Sequence, residues 1–217
     1  MSDQPVLALF AHPDDETLAC GGTLAALADQ GRSVQVVFLG DGIVTARGGN
    51  EDNRADAMAA CTILDVSPPT FLGFPDQRLD AVAITDLVKA VLAVAPSPSL
   101  VVTHAASDLN HDHRVVGHVA RVVARPIGRP VALVECEVPG SAAWNDEAFT
   151  PNWYVDVTAT LGRKLAALAC YRGEARSFPH PCSPEAVEAL ALVHGAASGL
   201  GRAEALRVVH GFGVLPG

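Results

Sequence analysis

Residues 5–16 read PVLALFAHPDDE, a short apolar run followed by a histidine, a proline and three adjacent carboxylates. An uninterrupted apolar run of this length is typical of a strand buried on both faces of a parallel sheet. The carboxylates then begin a helical pattern that stops at Gly31, a common residue at helix ends. The polar turn is therefore predicted at the carboxyl end of a strand, where open α/β sheets bind their ligands.

The alternation of apolar runs and helical patterns continues along the chain. Apolar runs predict strands at residues 5–11, 33–40, 99–104 and 130–136, with weaker ones at 70–74 and 153–157. Helical patterns occupy residues 17–30, 51–64, 85–95, 113–124, 158–171 and 183–197. Strands that alternate with helices predict an α/β fold with right-handed crossovers. Residues 42–53 and 140–152 are predicted to be long loops, which in compact α/β proteins are usually functional or mobile.

The composition favours a folded chain, because 49% of the 217 residues are hydrophobic and only 18% are charged. A formal net charge of −9 argues against a nucleic-acid partner. We expect no membrane span, since the longest uncharged run, residues 90–107, contains Pro96 and Pro98. The start of the chain lacks the long apolar stretch of a secretory signal, and the five cysteines are scattered. A cytoplasmic location is expected.

The first candidate site is the turn after the first strand. His12 and Asp15 are three residues apart, so both can point into one cleft, and a histidine nitrogen with a carboxylate oxygen is a typical beginning of a zinc site. Asp14 would then remain free beside the ion. The alternative is purely structural, because acidic residues at a helix start complement the helix dipole. That alternative does not explain the His-Pro pair ahead of three mutually repelling carboxylates.

The second candidate site follows the predicted strand at 99–104. Three of the eight histidines lie at His104, His111 and His113, interleaved with Asp108, Asn110 and Asp112. A second strand end of this kind can supply a third metal ligand, and the spacing leaves His111 and His113 as alternatives. Three protein ligands leave one coordination position for water, which is typical of a catalytic zinc site. A spare carboxylate next to that water would be a natural general base.

Other motifs are weaker. No GxGxxG, GxxxxGK[ST] or GxSxG pattern occurs, so dinucleotide binding, P-loop binding and a serine hydrolase have little support. Arg54 could contact an anionic substrate or could equally be a solvated residue at a helix start. The segment YRGEARSFPHP clusters Arg172, Arg176 and His180, which could contact substrate, although packing or solvent exposure is the simpler interpretation.

The two motifs together resemble those of the PIG-L/LmbE-like deacetylase family. This family includes N-acetylglucosaminyl-phosphatidylinositol de-N-acetylase and the deacetylases of mycothiol and bacillithiol synthesis. The resemblance covers most of the chain and implies one deacetylase domain over residues 1–217. The implied fold is a Rossmann-like, three-layer α/β fold with a mostly parallel sheet. The implied activity is zinc-dependent removal of an acetyl group from a small N-acetylated sugar or glycoconjugate, and self-association is frequent in the family.

The resemblance also implies residue roles. His12, Asp15 and His113 match the zinc ligands, although other divalent transition metals can occupy such a set. Asp14 matches the general base. Asn110 stands where the family usually has a histidine. An asparagine can donate a hydrogen bond to an oxyanion but cannot transfer a proton at neutral pH.

The expected mechanism therefore gives Asp14 both proton transfers, with Asn110 stabilising the oxyanion. Asp112 is expected to orient a neighbouring group. His104, predicted near the cleft and near substrate, is an alternative acid, and Arg54 matches a substrate-contacting arginine of the family. Two alternatives remain open. The same metal chemistry could act on another amide, such as a thiol conjugate or an antibiotic intermediate. The chain could also be a metal-binding or nucleotide-binding module without catalysis.

Overall fold

The computed structural model describes residues 5–45 and 51–212, and its central feature is a seven-stranded sheet. The sheet has the order β5-β2-β1-β6-β7-β9-β8, and β3 pairs with β4 in a separate short hairpin. The strands are β1 (Val6–Phe10), β2 (Val34–Gly40), β3 (Ile43–Val44), β4 (Glu51–Asp52), β5 (Thr70–Phe74), β6 (Leu100–His104), β7 (Ala132–Cys136), β8 (Trp153–Asp156) and β9 (Ala203–His210).

Helices cover both faces of this sheet. They are α1 (Asp15–Asp29), α2 (Arg54–Leu64), α3 (Ile84–Val94), α4 (His111–Val123), α5 (Pro139–Ala143), α6 (Leu161–Leu168) and α7 (Pro184–Ser198), with single 3₁₀ turns at Leu79–Ala81 and Arg172–Glu174. No helix within the described ranges is both long and apolar enough to cross a membrane.

The first strand shows why the fold has three layers. Every residue of β1 is buried, and its side chains alternate between two separate hydrophobic clusters. Phe10 and its same-face neighbours pack with α1, α2 and α6, whereas Leu7 and Leu9 pack with α3 and α4. A strand that faces apolar helices on both sides must be apolar throughout, which explains the uninterrupted run VLALF.

The structure confirms the predicted Rossmann-like α/β fold with a mostly parallel sheet. β5, β2, β1, β6 and β7 are parallel, and only β9 and β8 join antiparallel. The single-domain extent over residues 1–217 stays a prediction.

Three parts of the secondary-structure prediction need correction. The sequence patterns predicted no element after residue 197, yet β9 is a full strand between β7 and β8. Charged Glu204 and Arg207 interrupt its apolar pattern, and both make ion pairs inside the fold. The predicted loop 140–152 begins within α5, and the predicted loop 42–53 contains the β3–β4 hairpin. Residues 46–50 of that loop lie outside the described residues.

The strand order determines where the site forms. β1 pairs with β2 on one side and with β6 on the other, so the chain leaves β1 in one direction and returns to its opposite side. Because both pairings are parallel, the carboxyl ends of β1 and β6 meet at one edge of the sheet. Such a reversal of strand order leaves a crevice at that edge. The turn at residues 11–14 and the loop at 105–110 both open into it.

Candidate metal centre and active-site cleft

Three side chains from the two predicted motifs converge at this edge. His12 Nδ1 lies 3.4 Å from Asp15 Oδ2, and His113 Nε2 lies 3.3 Å from Asp15 Oδ1. One ligand atom of each residue lies within 4.8 Å of the other two, and all three residues are more than 85% buried. Two imidazole nitrogens and a carboxylate oxygen form a donor set that suits zinc and related divalent metals.

Each histidine of this cluster also has a carboxylate behind it. His12 Nε2 donates a hydrogen bond to Asp112 Oδ2 at 3.1 Å, and His113 Nδ1 lies 3.1 Å from Asp108 Oδ1. Asp112 is itself fixed, because its Oδ1 accepts a hydrogen bond from the Leu79 backbone N–H at 3.0 Å. A carboxylate on the far nitrogen of a metal-ligating histidine fixes the tautomer and leaves the near nitrogen free for the ion. The residues present therefore fit a divalent metal.

The pKa shifts of the clustered residues also favour a bound cation. Burial disfavours the charge on Asp15, but His113 and His104 beside it outweigh burial and hold the pKa of Asp15 well below its usual range. Burial likewise disfavours protonated His12, but Asp112 and Asp15 raise its pKa to about 10. The pKa of His113 rises to about 9 against the effect of burial, chiefly because of Asp15 and Asp108. Surplus negative charge at this point is a condition that a bound cation relieves.

Asp14 lies in a strained turn at the start of α1. Its backbone has φ 106° and ψ −32°, a conformation that residues with a side chain rarely adopt. The Asp14 N–H donates to Glu16 Oε2 at 3.1 Å, and Glu16 Oε1 accepts hydrogen bonds of 2.6 Å from Thr17 and Tyr171. Burial, together with the charges of Asp15, Glu174 and Glu16, raises the pKa of Asp14 well above its usual range.

A cleft of about 680 Å³ opens in front of the cluster. Its floor carries His12, Asp14, Asp15 and His113, so the predicted base and the three candidate ligands share one cavity. The remaining lining residues are Pro13, Val44, Asp76, Gln77, Asp80, Leu109, Asn110, His111, Val138, Gly140, Ser141, Trp144, Glu174, His180 and Cys182. Both of the predicted long loops contribute to these walls.

Asn110 has two features that bear on its predicted role. Its side-chain Oδ1 accepts the Asp112 N–H at 2.9 Å, which makes Asn110 the N-cap of α4. The amide NH₂ is therefore the end left to donate, and the residue lines the cleft. Of the two histidines that the spacing left open, His113 faces Asp15, whereas His111 is exposed on the cleft wall.

His104 lies behind the metal cluster rather than in the cleft. It is 0% exposed, its ring stacks on His113 with centroids 3.9 Å apart, and its Nε2 accepts the Ala11 N–H at 3.0 Å. Burial and the neighbouring His113 lower its pKa to about 4. The expected substrate contact and the alternative role as acid therefore find no support in this arrangement, because His104 neither reaches the cleft nor holds a proton on that nitrogen.

Arg54 also lies apart from the cleft lining. Its guanidinium pairs with Asp52 at 2.6 Å, and about half of each of the two side chains is exposed to solvent. The predicted substrate contact by Arg54 stays a prediction that requires the side chain to leave Asp52.

Sequence reasoning missed several residues of the cleft. Asp76 follows β5 in the segment FPDQ, and its Oδ1 lies 3.2 Å from His12 Nε2 while its Oδ2 accepts hydrogen bonds from the N–H and the hydroxyl of Thr45. The neighbouring Gln77 Nε2 lies 3.3 Å from the same nitrogen of His12. A carboxylate just after a strand was the available signal. Trp144 and Glu174 carried no such signal, because distant loops bring them to the cleft, whereas His180 belongs to the cluster that the sequence marked as a possible substrate contact.

A Rossmann-like sheet with a buried His–Asp–His cluster and an acidic cleft at its carboxyl edge defines an α/β protein with a candidate metal centre. The chain belongs to the PIG-L family, since the family model described as GlcNAc-PI de-N-acetylase matches residues 7–124, more than half of its length. The match contains both motifs that form the cluster.

Similarity to individual proteins extends beyond that region. The chain is 28% identical over 195 residues to a 4-oxalmesaconate hydratase of Pseudomonas putida, covering 77% of this chain and 73% of the relative. It is 25% identical over 198 residues to a probable N-acetyl-alpha-D-glucosaminyl L-malate deacetylase 2 of Bacillus cereus, covering 81% and 86%. The crystal structure of a conserved protein of Thermus thermophilus shares the fold with a TM-score of 0.80 at 24% identity, covering 98% of both chains.

Proposed function

We propose that this protein is a metal-dependent deacetylase that hydrolyses the N-acetyl group of an amino-sugar compound. The observation that carries the proposal is the position of Asp14, a partly buried carboxylate of raised pKa on the floor of the same cleft as the His12, Asp15 and His113 cluster. A protein that only binds a metal has no need of that additional carboxylate. The family and the Bacillus cereus relative support the same reaction class.

The metal would be held by His12 Nδ1, the Asp15 carboxylate and His113 Nε2. Zn²⁺ suits this nitrogen-rich set, and Fe²⁺, Co²⁺ or Mn²⁺ are alternatives. The ion, when bound, supplies Lewis acidity that polarises an amide carbonyl and lowers the pKa of water. Asp112 and Asp108 keep the two imidazoles oriented toward it.

Asp14 would carry the protons of the reaction. As a carboxylate it accepts a proton from the water that attacks the acetyl carbon. It then donates that proton to the amine nitrogen as the C–N bond breaks, leaving acetate and a free amine. Its raised pKa favours both roles, because burial and the neighbouring carboxylates make Asp14 a stronger base than an ordinary carboxylate and let it hold the proton that it passes on. The Asn110 amide NH₂ would donate to the oxyanion that forms between the two steps.

A hydratase is the second candidate, favoured by the relative of 28% identity. Addition of water to a double bond needs the same elements of a base and a polarising group. Hydrolysis of a different amide is a third possibility, and a binding module without catalysis is a fourth. The cytoplasmic location and self-association also stay predictions.

Metal loading and product analysis test the proposal together. The purified chain is loaded with Zn²⁺, its metal content is measured, and it is incubated with a panel of N-acetylated sugars, N-acylated amino acids and 4-oxalmesaconate. We expect about one metal per chain and release of acetate with a free amine from at least one sugar. Metal binding without turnover of any amide would reject the deacetylase, and hydration of the unsaturated acid alone would favour the hydratase.

A further inference from the structure

Asp14 occupies the N-cap position of α1 without acting as a side-chain cap. An aspartate at this position usually has an extended backbone, and its carboxylate accepts a hydrogen bond from the first turn of the helix. Asp14 instead has φ 106° and ψ −32°, and its side chain makes no such bond. The residue lines the cleft. The unusual backbone therefore accompanies a carboxylate that is left free for the cleft.

The backbone of Asp14 is held by the side chain of Glu16. The Asp14 N–H donates to Glu16 Oε2 at 3.1 Å, and the Asp14 carbonyl oxygen accepts the Leu18 N–H at 2.8 Å. Glu16 is the second residue of α1, so its side chain can reach back over the helix end as the glutamate of a capping box does. The helix start is thus closed by Glu16 rather than by the Asp14 carboxylate.

Glu16 is itself fixed by two hydroxyl groups. It is 0% exposed, and its Oε1 accepts hydrogen bonds from the Thr17 and Tyr171 hydroxyls, both at 2.6 Å. Tyr171 lies three residues after α6, so this contact joins the start of α1 to a distant part of the chain. Three donors on two oxygens leave the carboxylate little freedom to turn. An unfavourable backbone conformation persists only where its surroundings over-determine it, as they do here.

These contacts deepen the proposed function, on which their consequence for catalysis rests. We infer that Glu16 is a positioning residue, which keeps the Asp14 backbone in its unfavourable conformation and thereby keeps the Asp14 carboxylate in the cleft. Without the Glu16 acceptor, Asp14 can relax to an ordinary N-cap conformation, in which its carboxylate turns to the helix end. His12 and Asp15 share a separate hydrogen bond, from the His12 N–H to Asp15 Oδ2 at 3.0 Å, so the candidate ligands need not move with it.

Two substitutions at position 16 test this role on the zinc-loaded full chain. Glu16→Leu removes the acceptor, and we expect kcat to fall about 10- to 100-fold, because a displaced catalytic group can cost about 10² in rate. Zn²⁺ affinity, measured with a chromophoric chelator, should stay unchanged. Glu16→Gln keeps an oxygen for the Asp14 N–H and adds an NH₂ that can donate to the hydroxyls, so it should restore most of kcat. Equal losses of kcat in the two variants, an unchanged kcat in Glu16→Leu, or a parallel loss of zinc would each overturn the inference.

The matched control lies at the start of α7. Glu185 is likewise the second residue of its helix, but it is exposed to solvent. Glu185→Leu should leave kcat unchanged, and a loss equal to that of Glu16→Leu would overturn the inference. If Glu16→Leu does not fold, Thr17→Val combined with Tyr171→Phe removes the two hydroxyl donors and keeps Glu16. That protein should retain zinc and lose about tenfold in kcat, and an unchanged kcat would overturn the inference.

A comparison of glycine with alanine at position 14 tests the conformation without any turnover. Glycine adopts a φ of 106° without strain and alanine does not, so metal-free Asp14→Gly should unfold at a higher urea concentration than Asp14→Ala. In the Glu16→Leu background this difference should vanish or reverse, because alanine can then relax and glycine makes the unfolded chain more flexible. The exposed Asp65, with φ 60° at the end of α2, is the control. Its glycine–alanine difference should be the same with and without Glu16.

The kinetic and the unfolding measurements can fail separately. If no amide is hydrolysed but the difference at position 14 depends on Glu16, the proposed function is rejected and the conformational role of Glu16 is upheld. If alanine is as stable as glycine at position 14, or if Glu16→Leu leaves their difference unchanged, the inference is overturned even when deacetylation occurs. The variant that lacks the Thr17 and Tyr171 hydroxyls serves as the second background for the same comparison.

Discussion

Asp112 holds His12 across one hundred residues of chain, through a 3.1 Å hydrogen bond between Asp112 Oδ2 and His12 Nε2. The bond joins the helix that follows β6 to the turn that follows β1. Because its other oxygen accepts the Leu79 N–H, Asp112 cannot rotate freely and neither can the imidazole. The orientation of the candidate ligand His12 in the first motif thus depends on the second motif.

The first prediction concerns this bond. Asp112→Asn should weaken Zn²⁺ affinity by about 10- to 100-fold, because a neutral amide oxygen accepts a weaker hydrogen bond from the His12 ring than a carboxylate does. Competition with a chromophoric chelator measures the affinity. Asp86→Asn on α3 is the control with the same chemical change, and equal affinities in the two variants would contradict the orienting role.

The second prediction separates the proposed base from the ligands. Asp14→Asn should lower kcat by about 10²- to 10⁴-fold while the zinc content stays near that of the parent protein. Asp15→Asn should instead lose the metal, since it changes a candidate ligand. Near-normal turnover by a metal-loaded Asp14→Asn protein would remove Asp14 from the mechanism.

The third prediction separates the two roles of Asn110. Asn110→Asp keeps a good N-cap for α4 but removes the NH₂ donor. The free energy of unfolding should therefore stay unchanged while kcat falls about 10²-fold. Asn110→Ala should lose the same activity and also about 1 kcal/mol of stability. Steady-state kinetics and urea unfolding give the two readouts. Unaltered kcat in both variants would show that another group stabilises the oxyanion.

The fourth prediction concerns the support beneath the strained turn. Tyr171 is 1% exposed, and its hydroxyl donates to Glu16 Oε1 at 2.6 Å. Tyr171→Phe should lower the free energy of unfolding by about 1–3 kcal/mol, because a buried carboxylate loses a donor. Tyr154→Phe, at the half-buried tyrosine of β8, should change it by less than about 0.5 kcal/mol. Urea denaturation of the metal-free proteins compares them, and equal changes would argue against the Glu16 contact.

The fifth prediction is a pH dependence of metal binding. The pKa values of His12 (about 10) and His113 (about 9) lie above the ordinary 6.5. Without metal, both nitrogens of each ring are therefore protonated at neutral pH. A protonated imidazole cannot ligate, and Zn²⁺ must displace those protons. Affinity should therefore rise as pH increases from about 6 toward 9, with proton uptake by the buffer visible in calorimetry. An affinity that is flat over this range would contradict the assignment of these ligands.

Much of the fold followed from local pattern. The apolar run of β1 predicted a strand buried on both faces, and the Gly31 stop predicted the end of α1. The sequence did not predict β9, because the charged residues Glu204 and Arg207 interrupt its apolar pattern. Glu204 accepts hydrogen bonds from Lys164 and from the Gly22 and Thr23 backbone, and these contacts satisfy a buried charge that the sequence alone cannot pair.

The candidate site was predictable only where its residues lie next to strand ends. His12, Asp15 and His113 lie just after β1 and β6, and the parallel pairing of these strands gathers them. The spacing could not distinguish His111 from His113, because the choice depends on how α4 begins after its Asn110 cap. His104 looked accessible in the sequence, but as the last residue of a central strand it is fully buried. Trp144 belongs to a distant loop whose path no local pattern predicts, and His180 was only one member of a cluster for which packing or exposure was the simpler interpretation.

The floor of the cleft and one of its walls come from separate parts of the chain. The floor residues lie within the stretch that the family model matches, residues 7–124, whereas Val138, Trp144, His180 and Cys182 lie beyond it. Substitutions after residue 124 can therefore change that wall without altering the candidate ligands. The shape of the cleft opening can thus vary while the candidate metal centre beneath it stays the same.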